Sequence, residues 1–186
     1  PPMGFPGSFT LTWETYKDVL DDYCDSLARV GFKDIVLMSS HGGNNAVLKA
    51  ITPDIAKKLY GRVNIHLVLR TEKGMAQTAA FLKEKGISVE KAGVHSGYGE
   101  TSEMLVAKPH LVKMEFAEKG QVEEALYRPE NIPRFQIDSF IHGVKHFSEN
   151  GVLGDPRGAN GEIGKELIEL GVNVICEEIN RAVGKS

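Results

Sequence analysis

Two short clusters in this 186-residue chain concentrate the side chains able to do chemistry. The first is Ser40-His41-Gly42-Gly43-Asn44-Asn45. Its two glycines let the backbone approach a ligand closely, and the helix expected to follow offers unpaired N–H groups to an anion or a developing oxyanion. His41 stands at the end of an apolar run, where a neutral imidazole can bind a metal. The same residues can equally make a capped turn, and spacing alone leaves both readings open. The second cluster, His95-Ser96-Gly97-Tyr98-Gly99-Glu100-Thr101-Ser102, brings together an imidazole, hydroxyls and a carboxylate. A carboxylate beside a histidine suits a metal site or a proton-transfer pair, because each group sets the other's pKa. Glu100 also suits the first turn of the helix expected after it, where the macrodipole favours an anion. The two roles are compatible.

The remaining candidates carry less. His66 falls in a strand pattern and reads as a packed or edge residue, and His110 follows Pro109 and reads as surface. His142 and His146 have the spacing to share a helix face and chelate a metal, but no H-E-x-x-H accompanies them and Gly143 weakens a helix there. Trp13 is expected in the core, and Glu123-Glu124 and Glu177-Glu178 on solvated helix faces.

Alternating helices and strands must position these clusters. Thr12 is a plausible N-cap for a helix reaching about Val30, with Tyr16, Val19, Leu20, Tyr23 and Leu27 at helical spacing and Gly31 as its stop. Ile35-Val36-Leu37-Met38 is a short apolar run of the buried-strand kind, and it ends in the His41 cluster. Helical spacing resumes at Val47, Leu48 and Ile51, with Thr52-Pro53 expected to break or restart the helix. Val63 to Leu69 is expected as a second strand, Met75 to Lys85 as a helix closed by Gly86, and Val89 to Val94 as a third strand running into His95. Glu103 to Val106 reads as helix, Glu115 to Gly158 as an irregular functional insertion, and Ile163 to Arg181 as a closing helix containing Gly164 and Gly171. Strands alternating with helices predict a parallel sheet covered on both faces, with sites where the strands' carboxyl ends meet the loops. No internal repeat, low-complexity tract or linker divides residues 1–186, which read as a single domain.

Composition narrows the function. With 22 basic and 25 acidic side chains the net charge is −3, which excludes the concentrated positive face that nucleic acid or an anionic membrane demands. No apolar run approaches the ~20 residues of a membrane span, and no signal-peptide pattern opens the chain. Two distant cysteines, Cys24 and Cys176, fit inert thiols in a reduced cytoplasmic protein. There is no G-x-S-x-G elbow, no P-loop, no third glycine to make Gly97-Tyr98-Gly99 a dinucleotide turn, and no zinc-finger spacing.

Taken together, the two clusters resemble the creatininase, or creatinine amidohydrolase, family. Ser39-Ser40-His41-Gly42-Gly43-Asn44 is similar to the family's N-G-H-G-G-N with its first two residues changed, and His95 to Ser102 is similar to H-A-G-x-x-E-T-S. Phe5-Pro6-Gly7-Ser8-Phe9-Thr10-Leu11 resembles F-P-G-T-x-x-L, and Gly151-Val152-Leu153-Gly154-Asp155-Pro156 matches a further motif, so the resemblance runs in order over nearly the whole chain. It implies a three-layer α/β/α fold with a mainly parallel central sheet and a homo-oligomer, often a hexamer. It also implies a hydrolytic site of one or two divalent ions, zinc or manganese foremost and iron as an alternative. By position His41 and Glu100 become metal ligands, His95 the proton-transferring histidine, and Gly42, Gly43, Asn44 and Tyr98 the substrate side. In such a site a metal-bound water becomes hydroxide near neutral pH and attacks a polarised carbonyl, and a histidine hands a proton to the leaving nitrogen or carbon.

The resemblance implies cleavage of a C–N bond in a cyclic or formyl amide. The alternatives are ring opening of a cyclic ketone such as an inosose in the same site, or a non-catalytic binding member of the fold. Creatinine-hydrolysing members resemble N-G-H-Y-E-N at the first motif, with a metal-binding Glu where this chain has Gly43, which argues against creatinine itself. The family's E-x-H-G-x-H-L-P segment and the Asp after it have no counterpart in these residues, and the chain opens Pro1-Pro2-Met3. The expectation is a domain lacking its first strand and metal-binding loop. Substrate choice is expected to lie in the region from Tyr127 to Gly154.

Overall fold

The computed structural model describes residues 4–69, 72–122 and 132–184. They fall into two compact units: Thr10–Thr71 with Val174–Ser186, and Pro1–Phe9 with Glu72–Asn173.

The first of these units carries the sheet. Helix α1 (Trp13–Arg29) begins where the sequence places it, with Thr12 in extended conformation accepting a hydrogen bond from the Thr15 N–H, and Gly31 leaves the helix at φ +99°. Trp13 is exposed at the first turn, not in the core. Strand β1 (Asp34–Met38) pairs in parallel with β2 (Asn64–Val68), Asp34 opposite Asn64 and Met38 opposite Val68. Helix α2 (Asn45–Lys58) makes the crossover and runs unbroken through Pro53, contrary to the expected break. Proline in a helix interior costs ~3 kcal/mol. Burial of Leu48, Ile51 and Ile55 returns ~1.5–3 kcal/mol each, so the apolar face prevails over the missing N–H. The Thr52 hydroxyl adds a 2.6 Å bond to the Leu48 carbonyl. Cys24, Ile35, Leu37, Ile51, Ile55, Leu59 and Val63 close one core. His66, the expected edge or packed residue, pairs with Asp34 across the strands at 2.8 Å.

The other unit is helical. Helix α3 (Glu72–Glu84) is followed by a four-residue helix α4 (Val89–Ala92) where a third strand was expected. The apolar alternation there is overridden by a cap: Ser88 accepts from the Lys91 N–H, and Gly93 turns the chain at φ +77°. Among the described residues of this unit, extended pairing survives as a single antiparallel bridge between His95 and Leu153. Helix α5 (Tyr98–Ala107) follows, then α6 (Ile132–His142) within the stretch expected to be irregular, and α7 (Gly161–Ala182), which continues into the sheet-bearing unit. The core here is Leu82, Ile87, Tyr98, Ala159 and Leu167. Glu123 and Glu124 lie outside the described residues, as do residues 127–131 of the region expected to choose substrate. Cys24 is buried and Cys176 exposed, both free, and burial pushes the Cys24 thiol up. Among the described residues no helix is long and apolar enough to cross a membrane.

Candidate functional site

In the sheet-bearing unit the first cluster forms where β1 ends. His41 is extended and caps a 3-10 turn, Gly42–Asn44, with its Nδ1 accepting the Gly43 N–H at 3.2 Å. The Ser39 hydroxyl organises the same loop: it accepts from the His41 N–H and from the Asn44 side-chain amide, each at 3.1 Å. The capped-turn reading of His41 is therefore realised, and its exposed ring leaves the other nitrogen open. A Cβ on Gly43 would lie 2.8 Å from His41 Cε1, so a larger residue there would turn the exposed imidazole out of its capping position.

In the helical unit the second cluster is a turn locked from several sides. The His95 main chain exchanges both hydrogen bonds with Leu153, at 2.8 and 3.4 Å, and Leu153 is fully buried. Ser96 sits at φ +52°, the one described non-glycine residue with positive φ, a conformation that costs a non-glycine residue ~1–3 kcal/mol. Gly97 is the N-cap of α5, and a Cβ on it would strike the Ala92 carbonyl oxygen. Gly154, at φ +156°, would meet Gly93 Cα at 2.8 Å and Gly97 Cα at 2.9 Å, so three glycine backbones touch at this point. Glu100 occupies the first turn of α5 as expected, and its Oε2 accepts the Ser96 N–H at 2.6 Å. The side chain of His95 is half-buried and makes no hydrogen bond among the described residues.

Tyr98, expected on the substrate side, is buried in the helical core, and its hydroxyl accepts from the Asn160 amide at 3.0 Å. Asn160 also donates its N–H to the buried Ser102 hydroxyl and caps α7 by accepting from the Ile163 N–H. This hub escaped the sequence reading, although an Asn ahead of Gly161 and Ile163 is a recognisable N-cap signal. Phe5 packs against Gly151, where a Cβ would lie 3.0 Å from its ring, so the Phe-Pro-Gly lead-in meets the Gly151–Pro156 motif. His142 and His146 come together with ring centroids 4.8 Å apart, yet Gly143 at φ +77° ends the helix between them.

Asp155 in the same motif is gripped by Arg157 through two side-chain bonds at 2.8 and 2.9 Å. That hydrogen bonding, over a smaller opposing effect of burial, lowers its carboxyl pKa to about 2. A depressed folded-state pKa stabilises above the unfolded value and is lost as pH falls through the folded one. The contribution is thus complete above pH ~4 and vanishes toward pH ~2. Urea midpoints of the Asp155→Asn protein are expected to fall less steeply than wild type across that interval; parallel curves would contradict the assignment.

Among the described residues no group of three His, Cys, Asp or Glu side chains converges as a metal-binding set. His41 and Glu100, in different units, are donors of the right chemistry but number two where a catalytic zinc takes three. The Gly43 N–H occupies His41 Nδ1 in this turn, so a metal would take His41 only with that cap bond given up. The described donors do not complete a metal centre.

A parallel strand pair with a His-Gly-Gly loop at its carboxyl end, and a His-Ser-Gly turn capping a helix in a second unit, define an α/β protein. The family model described as creatininase, creatinine amidohydrolase, matches residues 1–179, and the chain belongs to that family. Solved structures agree on the fold. A manganese form of creatininase aligns at TM-score 0.72 and 22% identity, covering 95% of this chain and 67% of that one. A creatininase variant complexed with creatine aligns at 0.69 and 22%, covering 95% and 68%. A Zn–Zn form aligns at 0.64 and 20%, covering 95% and 67%. The chain thus spans about two thirds of the length of these relatives. No curated protein matches the sequence.

Proposed function

We propose that this protein is a metal-dependent hydrolase cleaving a C–N bond of a cyclic or formyl amide. The match of the creatininase family model to residues 1–179 carries the reading. Zinc and manganese, present in the solved relatives, are the proposed ions, and such an ion supplies an acidified water and a polarised carbonyl. His41 and Glu100 are the proposed donors on this chain. His95, whose ring nitrogens make no hydrogen bond among the described residues, passes a proton to the leaving group. The N–H groups and side-chain amide of Gly42, Gly43 and Asn44 orient the substrate. Tyr98 supports the substrate side from behind, through the first turn of α5. The relative complexed with creatine takes a small molecule, and the proposed substrate is likewise small. Creatinine is disfavoured, because Gly43 supplies no carboxylate where creatinine-hydrolysing members carry a glutamate. The proposed assembly is a homo-oligomer, in which exposed Phe9 and Tyr60 gain cover.

The test is elemental analysis of purified protein together with a panel of cyclic amides, formyl amides and cyclic ketones in added zinc or manganese. His41→Ala is expected to lose bound metal and all turnover while retaining its helical signal. Turnover of cyclic ketones alone would replace the amide reading, and metal-free, inactive wild-type protein would leave only a binding role.

A further inference from the structure

The geometry points to Glu100 as a positioning residue for His95, acting by holding the Ser96 N–H in a left-handed turn. The inference rests on the proposed role of His95 for its functional consequence, and on the turn itself for its structural content. His95 is held through its own N–H and carbonyl by the paired bonds to Leu153. Beyond it, Ser96 at φ +52° and the N-cap Gly97 are the two residues that link that bridge to helix α5. Serine has no intrinsic preference for this conformation, so something must hold it.

The Glu100 carboxylate does so, reaching back from the first turn to the Ser96 N–H at 2.6 Å, a short charge-assisted bond. Thr101 adds a longer contact at 3.5 Å from its hydroxyl to the Ser96 carbonyl. If Ser96 relaxes, either α5 or His95 must move. Helix α5 cannot, because Gly97 sits against the Ala92 carbonyl and Gly164 of α7 against the Ser102 carbonyl. The displacement therefore falls on His95. The second carboxylate oxygen takes no hydrogen bond among the described residues, so holding the turn leaves it free for a ligand.

The test compares Glu100→Gln, Glu100→Ala and Glu100→Ala with Ser96→Gly, in zinc-loaded protein. Amide hydrogen exchange at residue 96 and the imidazole ¹⁵N resonances of His95 are the readouts. Glu100→Gln keeps an acceptor and is expected to retain both signatures. Glu100→Ala is expected to accelerate exchange at least tenfold and to shift or broaden the His95 resonances. Adding Ser96→Gly, which adopts positive φ freely, is expected to restore the His95 resonances without restoring the protection. Unchanged His95 resonances in Glu100→Ala, or no rescue by glycine, would overturn the proposal. Loss of zinc in Glu100→Gln with both signatures intact would support the positioning role and show a ligand role beside it. A His95→Ala protein that still turns over would sink the proton-transfer reading while the exchange results stand.

Discussion

His95→Ala is expected to keep its fold and its metal and to lose turnover by about 10²–10⁴-fold, the range of a general acid or base worth ~3–5 kcal/mol in the transition state. The structure makes this substitution unusually clean. The bonds that hold residue 95 to Leu153 are all main-chain and survive in alanine. The imidazole makes no hydrogen bond among the described residues, so its removal orphans no partner. A drop in rate therefore reports the ring itself and not a collapsed turn. Turnover on the responsive substrate, with metal content measured on the same sample, decides the matter; near-wild-type rates would end the assignment.

The second large effect is on stability and turns on two glycines of one helix. A Cβ on Gly164 would drive into the Ser102 carbonyl oxygen and the backbone behind it. Backbone cannot swing aside as a flexible side chain does, so Gly164→Ala is expected to cost ~3 kcal/mol, the upper end for overpacking. For a chain of this size that lowers Tm by ~6–12 °C. Gly171, seven residues on in the same helix, has nothing within 4 Å of its would-be Cβ. Gly171→Ala is expected to stabilise by ~0.5–1 kcal/mol, because alanine loses less backbone freedom in a helix. Opposite signs in calorimetry support the close α5–α7 approach. Two stabilising substitutions would disprove it.

Much of this was legible in the residues. The caps of α1, the apolar run of β1, its parallel partner β2 and the clusters at loop positions follow from periodicity and stop signals that local physics sets. The errors have physical causes too. Val89 to Val94 has strand-like alternation, but Ser88 and Gly93 impose a helical turn, a case of caps outweighing pattern. Pro53 reads as a break, yet the buried face of α2 outweighs one lost bond. Helix α6 was missed although Pro133 stands in its first turn, because polar neighbours dilute its period. At the site, sequence named His41, His95 and Glu100 but not what holds them. The contact of Gly93, Gly97 and Gly154 and the bond from Asn160 to Tyr98 join residues up to 62 positions apart, and such long-range joints leave no local signature, although the N-cap role of Asn160 does.

The interleaving of the two units along the chain bears on how the protein is made. One takes Thr10–Thr71 and then waits for Val174–Ser186; the other takes Pro1–Phe9 and resumes at Glu72. On the ribosome, neither has its full complement of residues until the α7 segment has emerged. β1, α2 and β2 emerge with part of their unit still unsynthesised, and the Phe5 ring must find Gly151 nearly 150 residues on. Neither unit can therefore be cut out as one continuous fragment, and two short deletions injure different units: removing residues 4–9 takes Phe5 from the Gly151–Pro156 turn, and removing residues 174–184 takes Glu178 and Arg181 from beside Leu67–Leu69.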